Sequence, residues 1–163
     1  MADLKKHPSK AQFDALEADL WRVYASQYFR IDGYLVSACT GQVGMKVEIV
    51  VYVNGYCRGR DLWRGNEAEL DQIPDIARKF QRLCSKRINS AARIKLLEKY
   101  YGKRNAEKEG VYAKHYYTWH SFSTARTFIA HIKKHNDSIE ILSYEDYSEA
   151  IALLPSTEGN GDE

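Results

Sequence analysis

Residues 28–56 read YFRIDGYLVSACTGQVGMKVEIVVYVNGY. Runs rich in β-branched and aromatic residues are punctuated by Asp32-Gly33 and Asn54-Gly55. Both dipeptides favour the positive φ that a type I′ turn needs at its two central positions. The stretch predicts an antiparallel meander, with strands at 28–32, 34–40, 45–53 and 56–63 and a Gly-rich turn at 41–44. Val47, Ile49, Val51 and Val53 alternate with Glu48, Val50 and Tyr52, so one side of that strand is expected to meet a core.

Outward from the meander the period changes. Upstream, Pro8, Ser9 and Gln12 form a helix start with a capping-box pattern. Phe13, Leu16, Leu20, Val23 and Tyr24 then recur at helical spacing over about four turns. Downstream, Pro74 opens a helix with Ile76, Ala77, Phe80, Leu83 and Cys84 on one face. A third helix spans 89–101 with Gly102 as its C-cap, followed by a charged loop at 105–110. Residues 111–119 read as a strand, Ser123 as the cap of a helix burying Ala125, Phe128, Ile129 and Ile132, and 138–142 as a short strand. Residues 144–154 read as a weak acidic helix. The order is α-ββββ-αα-β-α-β, an α+β fold with a β-meander packed against amphipathic helices. One domain is expected over 1–154, with a disordered acidic tail at 155–163.

Leu, Ile, Val and Phe together make 36 of 163 residues, enough for a modest core. No apolar run approaches the ~18 residues of a membrane span, and no signal-peptide segment follows the start. Cys39, Cys57 and Cys84 are scattered and make no disulfide framework. The expectation is a cytoplasmic protein with no membrane partner.

The formal charge of +2 conceals a polarised chain. Residues 78–108 hold eleven Lys and Arg against Glu98 and Glu107, a net of +9. Residues 137–163 hold eight acids and no Lys or Arg. Such asymmetry points to nucleic acid or another polyanion as partner. Immediately downstream, Tyr112, Lys114, His115, Tyr116, Tyr117, Trp119 and His120 interleave rings with cations, a mixture that suits single strands. A strand exposes only alternate residues, so Lys114, Tyr116 and His120 are expected on the open face while other rings fill the core. The candidate nucleic-acid-binding residues are Lys79, Arg82, Lys86, Arg87, Arg93, Lys95, Lys99, Lys103, Arg104, Lys114, Tyr116 and Trp119, most of them on a basic helix pair.

Catalytic and metal signatures are weaker. His131 and His135 have the i,i+4 spacing of metal ligands, but the motif His-Ile-Lys-Lys-His carries no acid and two repelling lysines. Thr40-Gly41-Gln42-Val43-Gly44 lacks the Lys-Ser/Thr of a phosphate loop. Asp61, Glu67, Glu69, Asp71 and Asp75 are able to gather Mg²⁺, yet suit helix N-termini equally. No catalytic residue, metal site or cofactor is therefore assigned.

Tyr52-Val53-Asn54-Gly55-Tyr56, Gly59, Trp63, Tyr101-Gly102-Lys103-Arg104, Tyr116-Tyr117, Trp119, Ser121-Phe122, His131 and Ser138-Ile139-Glu140 together resemble small uncharacterised proteins encoded by bacteriophages and prophages, over roughly 31–142. The resemblance implies a class that acts on host nucleoprotein machinery or host defences, anti-CRISPR and anti-restriction proteins included. It implies action by binding, in the host cytoplasm, and transfers no functional residue. The expected function is thus non-enzymatic contact with DNA, RNA or a host nucleic-acid-handling complex. The alternative is a protein-binding inhibitor whose acidic surface mimics DNA, and the third reading is a metal-dependent nuclease.

Overall fold

The computed structural model describes residues 6–22, 24–56 and 62–155. The sequence predicts one domain over 1–154; the chain divides into two compact units, Met1–Arg58 with His120–Glu163, and Gly59–Trp119. The second is an insertion between two paired strands of the first.

The first unit is built on a five-stranded antiparallel sheet. Strands β1 (Ser26–Ile31), β2 (Tyr34–Val43) and β3 (Lys46–Val53) form the meander. Asp32 and Gly33 (φ 46° and 85°) and Asn54 and Gly55 (φ 51° and 81°) take the positive dihedrals read from their identities. Strand β2 runs on through Gly41, where a turn was expected, and reverses only at Gly44 (φ 63°). Expected fourth-strand residues 57–61 lie outside the described residues, and Tyr56 bridges back to Val53.

Helix α1 (Lys10–Leu20) carries the reciprocal Ser9–Gln12 capping box. It ends at Leu20, earlier than the periodicity predicts: Tyr24 sits at φ 63° and is exposed, and Val23 lies outside the described residues. Helix α5 (Ala125–His135), named after the inserted helices below, is capped by Thr124 rather than Ser123 and buries the four predicted apolar residues. Phe128 of α5 meets Phe29 of β1 at 5.9 Å and Phe122 at 5.4 Å. That aromatic cluster and α1 cover one side of the sheet, the side of Val36, Ala38, Val51 and Val53.

The opposite side is covered too. Val50 is buried as well as Ile49, Val51 and Val53, while Val47 is exposed, which departs from one-sided alternation. The cover is α6 (Tyr144–Ala152), whose buried Tyr147 stacks on Tyr28 at 4.7 Å. The segment expected as a weak acidic helix is a structural layer. Beyond Pro155 the predicted tail lies outside the described residues.

Strand β8 (Ile139–Leu142) pairs with β1 at one edge, and β7 (Ser121–Phe122) pairs with β3 at the other, Ile49 opposite Phe122. The inserted unit leaves from one end of β3 and returns into β7.

The inserted unit holds a three-stranded antiparallel sheet of order β4 (Arg64–Gly65), β6 (Lys114–Trp119), β5 (Arg82–Arg87). Helix α2 (Asp75–Phe80) stops where the sequence predicts continuation. Gln81 turns extended (φ −116°, ψ 143°), and Arg82–Arg87 pair residue for residue with β6. The apolar spacing of Leu83 and Cys84 matched a helix by coincidence, since ladder formation with a distant strand outweighs local period. Consequently Arg82, Lys86 and Arg87 lie on a strand, and the expected basic helix pair does not exist in that form.

Helix α3 (Ala91–Tyr101) runs from its Ser90 cap to Gly102 at φ 75°. Residues expected as a charged loop form α4 (Lys103–Lys108), because buried Ala106 packs with Ile94 and Val111 in a small second core. A short 3-10 helix, Glu67–Gln72, was not anticipated.

Candidate nucleic-acid interface

Register decides which side chains share a side of the β4-β6-β5 sheet. Cross-strand partners project together, so Arg82, Cys84 and Lys86 of β5 lie on the side of Trp119, Tyr117 and His115 of β6. Arg64 of β4, opposite Tyr117, joins them. This side therefore alternates three cations with three rings. The other side carries Leu83, Ser85 and Arg87 with Thr118, Tyr116 and Lys114.

That other side is used by the unit itself at its centre. Thr118 is 1% exposed, and its Oγ1 accepts a hydrogen bond of 2.9 Å from the Trp63 amide. The Trp63 indole lies so close over Gly65 that a Cβ there would meet the ring at 2.5 Å. Glycine is required at this position by space, not by dihedral.

A cleft of about 860 Å³ opens along β6 beside the two-residue β4. Arg64, Lys86, His115, Tyr117 and Trp119 line it, and Lys114 and Tyr116 contribute from the alternate positions. Ile88 and Leu62 supply apolar wall, and Glu69 is an acid on the rim whose carboxylate accepts from the Asn66 amide at 2.9 Å.

Four sequence-predicted residues, Lys86, Lys114, Tyr116 and Trp119, are thus brought to one cleft. Arg82 and Arg87 are on the adjoining strand. Arg93, Lys95 and Lys99 sit on α3 and Lys103 and Arg104 on α4, outside the cleft lining. Lys79 is on α2 and pairs with Asp75 at 3.7 Å. The expected grouping of Lys114 with His120 does not occur, since His120 follows the end of β6 and belongs to the first unit. His115 and Tyr117, expected to be turned inward, line the cleft. Arg64 was missed, and no local pattern marks it, because its place depends on pairing with Tyr117.

The inserted unit contains fourteen Lys and Arg against eight Asp and Glu, a net of +6, and the remainder of the chain is −4. The polarity read along the sequence is thus a polarity between units.

Of the acids weighed for chemistry, Glu67, Glu69 and Asp75 stand in first turns of helices. Glu69 completes a capping box with Asn66. Asp61 lies outside the described residues. His131 and His135 stack at 4.5 Å, and among the described residues no group of three or more metal-ligating side chains gathers. Ser121 is fully buried and donates a hydrogen bond to the Glu48 carboxylate, clipping β7 to β3. Beside it, burial pushes the His120 imidazole below its ordinary pKa, against the pull of Glu48. Cys39 and Cys84 are free thiols, and no helix among the described residues is long and apolar enough to cross a membrane. No protein family, curated protein or solved structure matches the chain.

Proposed function

We propose that the inserted unit binds single-stranded nucleic acid across its three-stranded sheet, and that the protein acts by binding. Arg64, Lys86 and Lys114 neutralise phosphates, while His115, Tyr117 and Trp119 stack on bases. The observation that carries this reading is the cleft that these six residues of three strands line, five of them on one side of the sheet by register and Lys114 from an alternate position.

Spacing favours a single strand over a duplex. Alternate residues of a β-strand stand about 7 Å apart. Bases stacked within a duplex rise only ~3.4 Å per step along each strand. Rings at His115, Tyr117 and Trp119 match nucleotides splayed from one another, each base offering a face to one ring. Sequence preference is not expected, because stacking accepts every base.

Fluorescence anisotropy with a labelled oligonucleotide, single-stranded and annealed to its complement, tests the reading. Tighter binding of the single strand is expected, as DNA or RNA, with Tyr117→Ala weakening it by ~1–3 kcal/mol, the usual worth of one stacked base. Equal or tighter binding of the duplex, or no binding of either, overturns it.

A further inference from the structure

The cations of α3 were grouped with the nucleic-acid surface by sequence, but the helix presents something else. Ile94 and Leu97 turn toward the small core, whereas Leu96 and Tyr100 are 67% and 80% exposed. At i,i+4 spacing these two form a ridge, with Lys95 and Lys99 one turn apart beside it. Neither lysine is in an ion pair among the described residues. A buried phosphate has no use for an aliphatic ridge. An apolar ridge flanked by uncompensated lysines fits a helix with the opposite charge and its own apolar contact.

Such a helix exists in this chain. On α6 the exposed stripe is Glu145, Glu149 and Ala152, with Leu153 at the helix end 85% exposed. Glu145 and Glu149 repeat the i,i+4 interval of Lys95 and Lys99, and neither is in an ion pair among the described residues. Beside them is a depression of about 400 Å³ walled by Leu142, Leu153, Asp146 and Glu149. Its one cation, Arg30, is already held by Glu140 at 2.8 Å. The two helices are ~16 Å and ~14 Å long at 1.5 Å per residue, so their stripes are commensurate.

From this complementarity of charge, interval and length we infer that α3 docks on α6 of a second copy of the chain. The contact places Leu96 and Tyr100 against Leu153 and Ala152, with Lys95 and Lys99 facing Glu145 and Glu149. It uses no residue of the proposed cleft and stands whether or not the cleft binds nucleic acid.

The test is sedimentation velocity on nuclease-treated protein. The wild type is expected to leave its 18.8 kDa monomer mass toward twice that mass or more as concentration rises at 0.1 M salt, and to return at 1 M, where screening shortens from ~10 Å to ~3 Å. Lys95→Glu with Lys99→Glu, and separately Glu145→Lys with Glu149→Lys, should each remain monomeric. Mixed in equal amounts the two variants should associate, because both contacts between unlike copies are again complementary. All four residues are exposed, and far-UV circular dichroism checks each fold. If a variant loses its fold, the wild-type concentration and salt series decides alone. A wild type monomeric throughout overturns the inference. Folded charge-reversed variants that self-associate, or fail to associate when mixed, also overturn it. So does association that disappears on nuclease treatment, since nucleic acid would then be the occupant.

Discussion

Lys86 and His115 stand directly opposite each other on β5 and β6, on one side of the inserted sheet. The next pair along that side is Cys84 with Tyr117, flanked by Arg64 from β4. The rings of β6 are thus flanked across the strands by cations from β4 and β5. A phosphodiester chain offers the matching combination of flat base and negative phosphate.

Gly65 keeps this arrangement in place by letting the Trp63 indole lie on the far side of β4. A methyl at that position meets the ring at 2.5 Å and the Glu69 carboxylate at 2.8 Å. Gly65→Ala is therefore expected to destabilise the protein by ~1–3 kcal/mol, the usual cost of overpacking. Urea unfolding checks it, and an unchanged midpoint would mean that Trp63 has freedom to move aside.

Tyr147 makes α6 part of the first unit's core. It is 8% exposed, stacks on Tyr28, and has its hydroxyl pKa raised by burial. Tyr147→Ala should cost ~3 kcal/mol, as for other large aromatic truncations, and lower the thermal midpoint accordingly. A near-native midpoint would show that α6 covers little of the sheet. By the same reasoning, removal of 144–163 should expose the Val50 side of the sheet and compromise folding, not merely unmask basic surface.

His120 links stability to pH. Its folded pKa lies below the ordinary 6.5, with burial the larger cause. The unfolded chain therefore binds more protons than the folded one as pH falls through that value. The contribution of neutral His120 is complete above pH ~6.5 and is lost progressively below it. Thermal melts at neutral and mildly acidic pH should show a larger loss in wild type than in His120→Gln. Equal losses would assign the acid sensitivity to other groups.

Legibility in the sequence followed the range of the deciding interaction. Asp32-Gly33 and Asn54-Gly55 settle their turns locally, as do Ser9 with Gln12 and Gly102 at their helix ends, so the meander, α1 and α3 were readable. Arg82–Arg87 and Ser121–Phe122 are strands only because β6 and β3 lie beside them, and nothing within either segment says so. Ala106 hid α4 among charges, because one small buried residue anchors that helix. The candidate site divided in the same way. Composition drew attention to Lys86, Lys114, Tyr116 and Trp119, whereas Arg64, His115 and Tyr117 needed the register.

If the sheet, and not α3, carries nucleic acid, the salt dependence of single-strand binding is set by the cations of the sheet. Each phosphate contact contributes about 0.7 to the slope of log affinity against log salt on a single strand. Replacing Arg64, Lys86 and Lys114 together by Ala is expected to make that slope shallower by about 2 units. Replacing Lys95 and Lys99 by Ala should leave it unchanged. A slope that responds to the α3 pair and ignores the sheet triple would put the phosphate contacts on α3 instead.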